Sequence, residues 1–190
     1  MAKSTPLSVQ NQLTSRIHGY HDTAASIKKA YYDKRQVIVQ DDRLSDVAKT
    51  GDLATLAAAA AEQLKATWVE QDAYVVGLKS SLEKELRGNQ PTDANSVLLR
   101  RDASDRARKI DNEKDALAAL QDAINDGDEV MAHAIGTRGR SNGWLNVSEA
   151  WQGAYPETAG IAEALSYVES VTSDGAYNLA NSMAYAPPAA

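Results

Sequence analysis

The residues of this chain that could do chemistry are few, and they fall in small groups. His18 and His21 stand at i and i+3, with Asp22 following. On a helix the two imidazoles share a face, so a divalent ion could bridge them. Zinc ordinarily takes three or four protein ligands, and the one other histidine, His133, is far along the chain. The pair is therefore read as helix-surface residues, and no metal or cofactor is expected. Carboxylate pairs occur at Asp41-Asp42, Glu83/Glu85 and Asp126/Asp128. Glycosidase-type catalysis needs two carboxylates aimed into one cleft. These lie at expected helix ends and on expected exposed faces, where capping and the helix dipole explain those at helix starts. Cysteine is absent, which removes thiolate nucleophiles, disulfides and cysteine metal sites. The reading is of a protein that is not an enzyme.

Two groups of cations remain. Arg100, Arg101, Arg106, Arg108 and Lys109 form the one locally basic stretch, with Asp102 and Asp105 between them. Without interleaved aromatics this reads as a solvated helix face before a nucleic-acid contact. Arg138 and Arg140 lie in a glycine-bearing run, residues 136–143, that matches neither a Walker pattern nor a dinucleotide fingerprint. That run reads as a loop between helices, its two arginines being candidates for contact with an anion or an acidic partner. A net charge of −6 argues against a general phosphate-binding surface.

The elements that must position these residues read as helices throughout. Leu13, Ile17, Tyr20, Ala24, Ile27, Tyr31 and Ile38 step by four, three, four, three, four and seven. This is a heptad seam, which asks for a partner helix. A helix over about 8–40 would run roughly 50 Å at 1.5 Å per residue, too long for one small core to support. Ser45 can cap a short helix, and Asp52 a long one over 53–87 with Leu53, Leu56, Ala60, Leu64, Trp68, Val75, Leu78, Leu82 and Leu86 near one stripe. Two long helices with a short join favour an antiparallel hairpin. Thr92 or Asp93 caps a third helix over 93–125. Asp128 then opens a compact module over 127–175, in which Trp144, Val147, Trp151 and Ala154 share a helical face. Residues 176–190 read as an extended arm without a core of its own. The expectation is all-α: a stalk over 1–126, the module, and the arm. No run is long and apolar enough for a membrane span, and no apolar signal core is expected.

The aromatic usage is unusual, with eight Tyr, three Trp and no Phe. Rings with a polar handle suit half-wet contacts. Tyr155, Tyr177 and Tyr185, with Met183, are candidates for contact with another chain, as are the seam residues Leu13, Ile17, Tyr20, Ile27, Tyr31 and Ile38.

Residues 127–135, followed by Asn142-Gly143-Trp144-Leu145-Asn146-Val147 and Tyr155-Pro156-Glu157, resemble the C-terminal module of small helical virion and head-assembly proteins of actinobacterial phages and prophages. The resemblance implies a structural protein of the particle: capsid-associated, minor head or head-to-tail. A scaffolding protein is the alternative. Its partners would be capsid, portal or neck proteins and other copies of itself, with nucleic acid and membrane not expected. It would be located in the virion, assembled in the host cytoplasm. Trp151-Gln152-Gly153 also resembles the Trp-x-Gly of small secreted helical hairpins of type VII secretion. There, however, the motif sits in the turn between two long helices.

Overall fold

The computed structural model describes residues 4–87 and 93–188. Among these the chain is all-α, with eight helices and no strand: α1 Pro6–Gln40, α2 Asp46–Leu86, α3 Ala94–Arg108, α4 Glu113–Asn125, α5 Glu129–Asn142, α6 Leu145–Ala154, α7 Glu157–Ser173 and α8 Gly175–Tyr185. They form two compact units. One comprises residues 1–6 and 80–165, the other 7–79 and 166–190.

The second unit holds the long hairpin. The α1 seam is buried at Val9, Leu13, Ile17, Ala24 and Tyr31, so it begins one turn before Leu13. Tyr20, Ile27 and Ile38 are half-buried on the same stripe. The two helices run antiparallel. Lys49 Nζ donates to the Val39 carbonyl at 2.9 Å, Ala24 packs with Leu64, and Tyr20 lies 6.4 Å from Tyr74. As α1 numbers fall, α2 numbers rise. The partner sought by the seam is thus supplied within the chain.

On α2 the structure departs from the sequence reading twice. Residues 46–51 continue straight into the long helix, because Gly51 and the flanking threonines stay helical: Thr50 and Thr55 bond back to the carbonyls of Asp46 and Gly51. One glycine costs a helix only about 1 kcal/mol. Ser45 caps the whole helix, its side chain accepting from the Ala48 amide at 3.3 Å. The buried stripe also runs through Thr67 and Gln71, and Trp68 is exposed beside it.

The segment 176–185 is helical, not an extended arm. Asp174 caps α8 by accepting from the Ala176 amide. Tyr185 then joins the core cluster of Ala24 and Leu64.

The first unit is arranged around α5, which packs on α3, α4 and α6, with α4 also on α6. The single helix expected over 93–125 is two. Asp93 caps α3, whereas Asn112 caps α4 by accepting from the Asp115 amide at 2.9 Å. The stop expected at residues 88–91 and the alternative cap Thr92 lie outside the described residues. Asp128 caps α5 as expected. The run 136–143 is not a loop: α5 continues through it and stops at Gly143, whose φ of 70° gives the left-handed C-cap. Gly136 and Gly139 serve a different purpose. A Cβ at Gly136 would sit inside the Trp151 indole, and one at Gly139 would lie 2.5 Å from Val147 Cγ1. The two glycines let α6 lie directly on the α5 backbone, and Trp151 and Val147 are fully buried there.

Residues expected to belong to the stalk therefore divide. Those from 80 to 125 cluster with the expected module, while 166–190, expected in the module and the arm, cluster with the long hairpin.

Candidate interaction surfaces

Three features outside ordinary core packing stand out: a buried polar network, an apolar outward face and a basic cleft.

The network lies in the hairpin unit, at the point where α2 presents Gln71. That side chain is 1% exposed. Its Oε1 accepts from the Tyr185 hydroxyl at 2.6 Å, while its Nε2 donates to Asn181 Oδ1 and to the Tyr177 oxygen, each at 3.0 Å. His21 Nε2 lies 2.8 Å from the same Asn181 oxygen. Since that oxygen only accepts, the ring carries its proton on Nε2. His21 is thus a hydrogen-bonding member of the network, not a purely solvated residue as the sequence reading held. The Tyr185 ring stacks on Trp68 at 14° and 6.4 Å and meets His21 edge-on. Burial, then neighbouring Tyr177 and Tyr20, push the Tyr185 hydroxyl up to about 12. A carboxamide satisfied on both sides inside a helical seam fixes which turn of one helix meets which turn of another. A cavity of about 450 Å³ lies beside the network, bounded by Trp68, Val76 and Ser182 among others.

The reverse of this polar interior is an apolar exterior. On α8, Leu179 and Met183 stand one turn apart and are 63% and 68% exposed. On α2, Trp68, Val69 and Val76 are also more than half exposed. Polar residues inside and apolar residues outside invert the ordinary amphipathic pattern.

The cleft lies in the other unit, between the end of α2, α3 and α5, with a volume of about 910 Å³. Lys84, Arg87, Arg100, Arg101, Arg108 and Arg138 line it, against the single carboxylate of Asp105. Arg87 and Arg108 make exposed ion pairs to Glu83 at 3.6 Å and Asp105 at 3.4 Å. Arg138 is committed to the fold: its Nε and Nη2 both donate to the Ile110 carbonyl at 3.0 and 2.9 Å. Its guanidinium also lies 5.6 Å from the Trp144 ring centre. Two buried polar atoms on the α5 wall, His133 Nδ1 and Thr137 Oγ1, have no hydrogen-bond partner among the described residues. His133 is 8% exposed, set against Trp151 and Tyr155. Burial holds the imidazole below its ordinary range, against the pull of Glu129 and Glu157.

The other candidates scatter. Leu13, Ile17, Tyr31 and Tyr185 are buried by the chain itself, so they are not docking residues for another subunit. Tyr20, Ile27, Ile38 and Tyr177 are half-buried, and Met183 alone of that set is exposed. His18 is exposed on α1, and Arg140 is half-buried on α5 outside the cleft lining. Trp151 of the Trp-x-Gly is buried within α6 and not at a turn between long helices. Among the described residues no group of three or more His, Asp or Glu is placed to hold a metal, and no helix is long and apolar enough to cross a membrane. Gln71, Thr67 and Asn181 escaped the sequence reading. The signal was a missing step: the stripe passes from Trp68 to Val75, and Gln71 is the residue three on and four before. Comparison with family models, with curated proteins and with solved structures finds no match.

Proposed function

We propose that this chain is a structural or assembly protein of a bacteriophage particle, capsid-associated, minor head or head-to-tail, working through helix-mediated contacts and not through catalysis. The observation that carries the assembly part is the inverted face of the hairpin unit. Exposed apolar side chains in contiguous patches mark sites of protein contact, and here Leu179 and Met183 sit outward on a helix whose inward face is polar. The particle itself is inferred from the resemblance of residues 127–157 to phage head-assembly modules. Partners are capsid, portal or neck proteins and further copies of the chain, and the location is the virion.

Light scattering on the purified protein tests this. The expected result is concentration-dependent association, or a complex with capsid or portal protein. The double variant Leu179→Ser, Met183→Ser should lower that association at least tenfold with helicity unchanged, because both side chains are already mostly in solvent. A chain that stays monomeric at every concentration and ignores capsid and portal would sink the reading. Presence in purified mature particles separates a virion component from a scaffold.

A further inference from the structure

The basic cleft belongs to the unit that does not carry the apolar face, and its occupant can be argued separately from the assembly reading. Six cations face one carboxylate in a chain whose net charge is −6. Cations gathered against the sign of the whole molecule raise the local concentration of an anionic ligand. Five of the six are arginines, whose planar forks match carboxylate or phosphate oxygens in pairs. Two of them, Arg87 and Arg108, have only the exposed pairs with Glu83 and Asp105 described above, and exposed pairs of this kind hold a guanidinium weakly.

The spacing speaks to the shape of the ligand. From Arg100 and Arg101 to Arg108 along α3 is about two turns, roughly 11 Å at 1.5 Å per residue. Lys84 and Arg87 add a second row at the end of α2 and just past it. A single anion cannot meet both ends; the ligand must carry several charges over that length. No Tyr or Trp lines the cleft, and its one ring, His133, is buried against Trp151 and Tyr155, so it lacks the stacking platform that single-stranded nucleic acid uses. A long polyanion would also meet the acidic remainder of the chain. Carboxylates at helical spacing fit both rows and need only a short segment. The α5 wall supplies the second, independent observation: His133 Nδ1 and Thr137 Oγ1 are buried and without a hydrogen-bond partner among the described residues. Leaving a buried polar group unpaired is costly, and a ligand reaching that wall would recover part of the cost.

We propose that the cleft between the end of α2, α3 and α5 docks an acidic segment of another protein. The segment spans about two helical turns. Its carboxylates are held by Lys84, Arg87, Arg100, Arg101 and Arg108, and its polar edge meets Thr137 and His133.

The probe is a synthetic glutamate-rich, helix-forming peptide of about 14 residues, roughly four turns, fluorescently labelled and titrated with the full chain. Saturable binding is expected at low salt, weakening as salt rises. Arg101→Glu with Arg108→Glu should weaken it at least tenfold. Lys29→Glu with Arg43→Glu, an equal charge change at exposed sites of the other unit, should leave it within about twofold; helicity is checked for both. Thr137→Val should cost a few-fold, and the His133 ring resonances should shift when peptide is added. No binding at low salt, equal loss in the two charge-reversed variants, or tighter binding of a single-stranded oligonucleotide of equal charge would each overturn the proposal. None of these outcomes bears on association through Leu179 and Met183.

Discussion

At Gly136 a single hydrogen decides how close two helices lie. Any larger side chain would overlap the Trp151 indole, which has no exposure and no room to retreat. Overpacking of this kind costs about 1–3 kcal/mol and sometimes more. Gly136→Ala is expected at the upper end, about 3 kcal/mol, read as a fall in the urea midpoint. Gly77→Ala is the control. It is also inside a helix, but a Cβ there meets nothing within 4 Å, so it should stabilise by about 0.5–1 kcal/mol. Tyr185 gives a second prediction at this scale. Burial pushes its hydroxyl up to about 12 in the folded chain, against an ordinary value near 10. The folded state therefore holds the proton more tightly, and the stability this provides is complete below pH 10 and lost as pH rises toward 12. Urea midpoints measured at pH 8, 10 and 12 should fall across the upper interval. Tyr185→Phe should start lower, because Gln71 Oε1 loses its donor, and should lack that component of the fall.

Among the helices, α8 is the one whose removal says most. Ending the chain at Ser173 would take away Asn181, Tyr177 and Tyr185, uncovering Ala24 and Leu64 and leaving Gln71 without the three partners assigned to it. Hydrogen exchange should then show lost protection along α2 around residues 64–75. The α5 amides, packed on α3, α4 and α6, should keep theirs. Equal loss in both places would show that the units do not stand separately. The long helices were legible in sequence because the seam of α1 repeats every 3.5 residues with apolar side chains. The helix α8 was not, because its inward positions are Asn181 and Tyr185 and its outward ones Leu179 and Met183. Burial follows hydrogen bonding there, against hydropathy. The break between α3 and α4 was missed for a related reason: Asn112 looks like one more polar residue in a charged run until its side chain is seen to accept from Asp115. At 136–143 glycine was read as flexibility, while the fold uses it as an absence of bulk.

Over the whole molecule, averages conceal the arrangement. A net charge of −6 set aside anion binding as a general property, and the basic stretch of α3 read as solvated because its apposing cations, Lys84 and Arg87, lie at the end of another helix. Sequence spacing brings out groups on one helix and is silent about groups on two. The candidate site was therefore half legible: Arg138 and the Arg100–Arg108 stretch were singled out separately, and the fold joined them. The division into stalk and module failed likewise, since it followed the chain while the units do not.

That division is nested: residues 80–165 form nearly all of one unit, and the other is made of what comes before and after. During synthesis the inner unit has all its helices while the outer one still lacks α8. Until residues 175–185 emerge, Gln71 has only water to bond, and the pairing of α1 with α2 is not locked in register. Contacts between such distant stretches form late and slowly. The outer unit is thus completed only when α8 returns to His21 and Gln71. A chain terminated and released after α7 would have its basic cleft built and its hairpin unsealed.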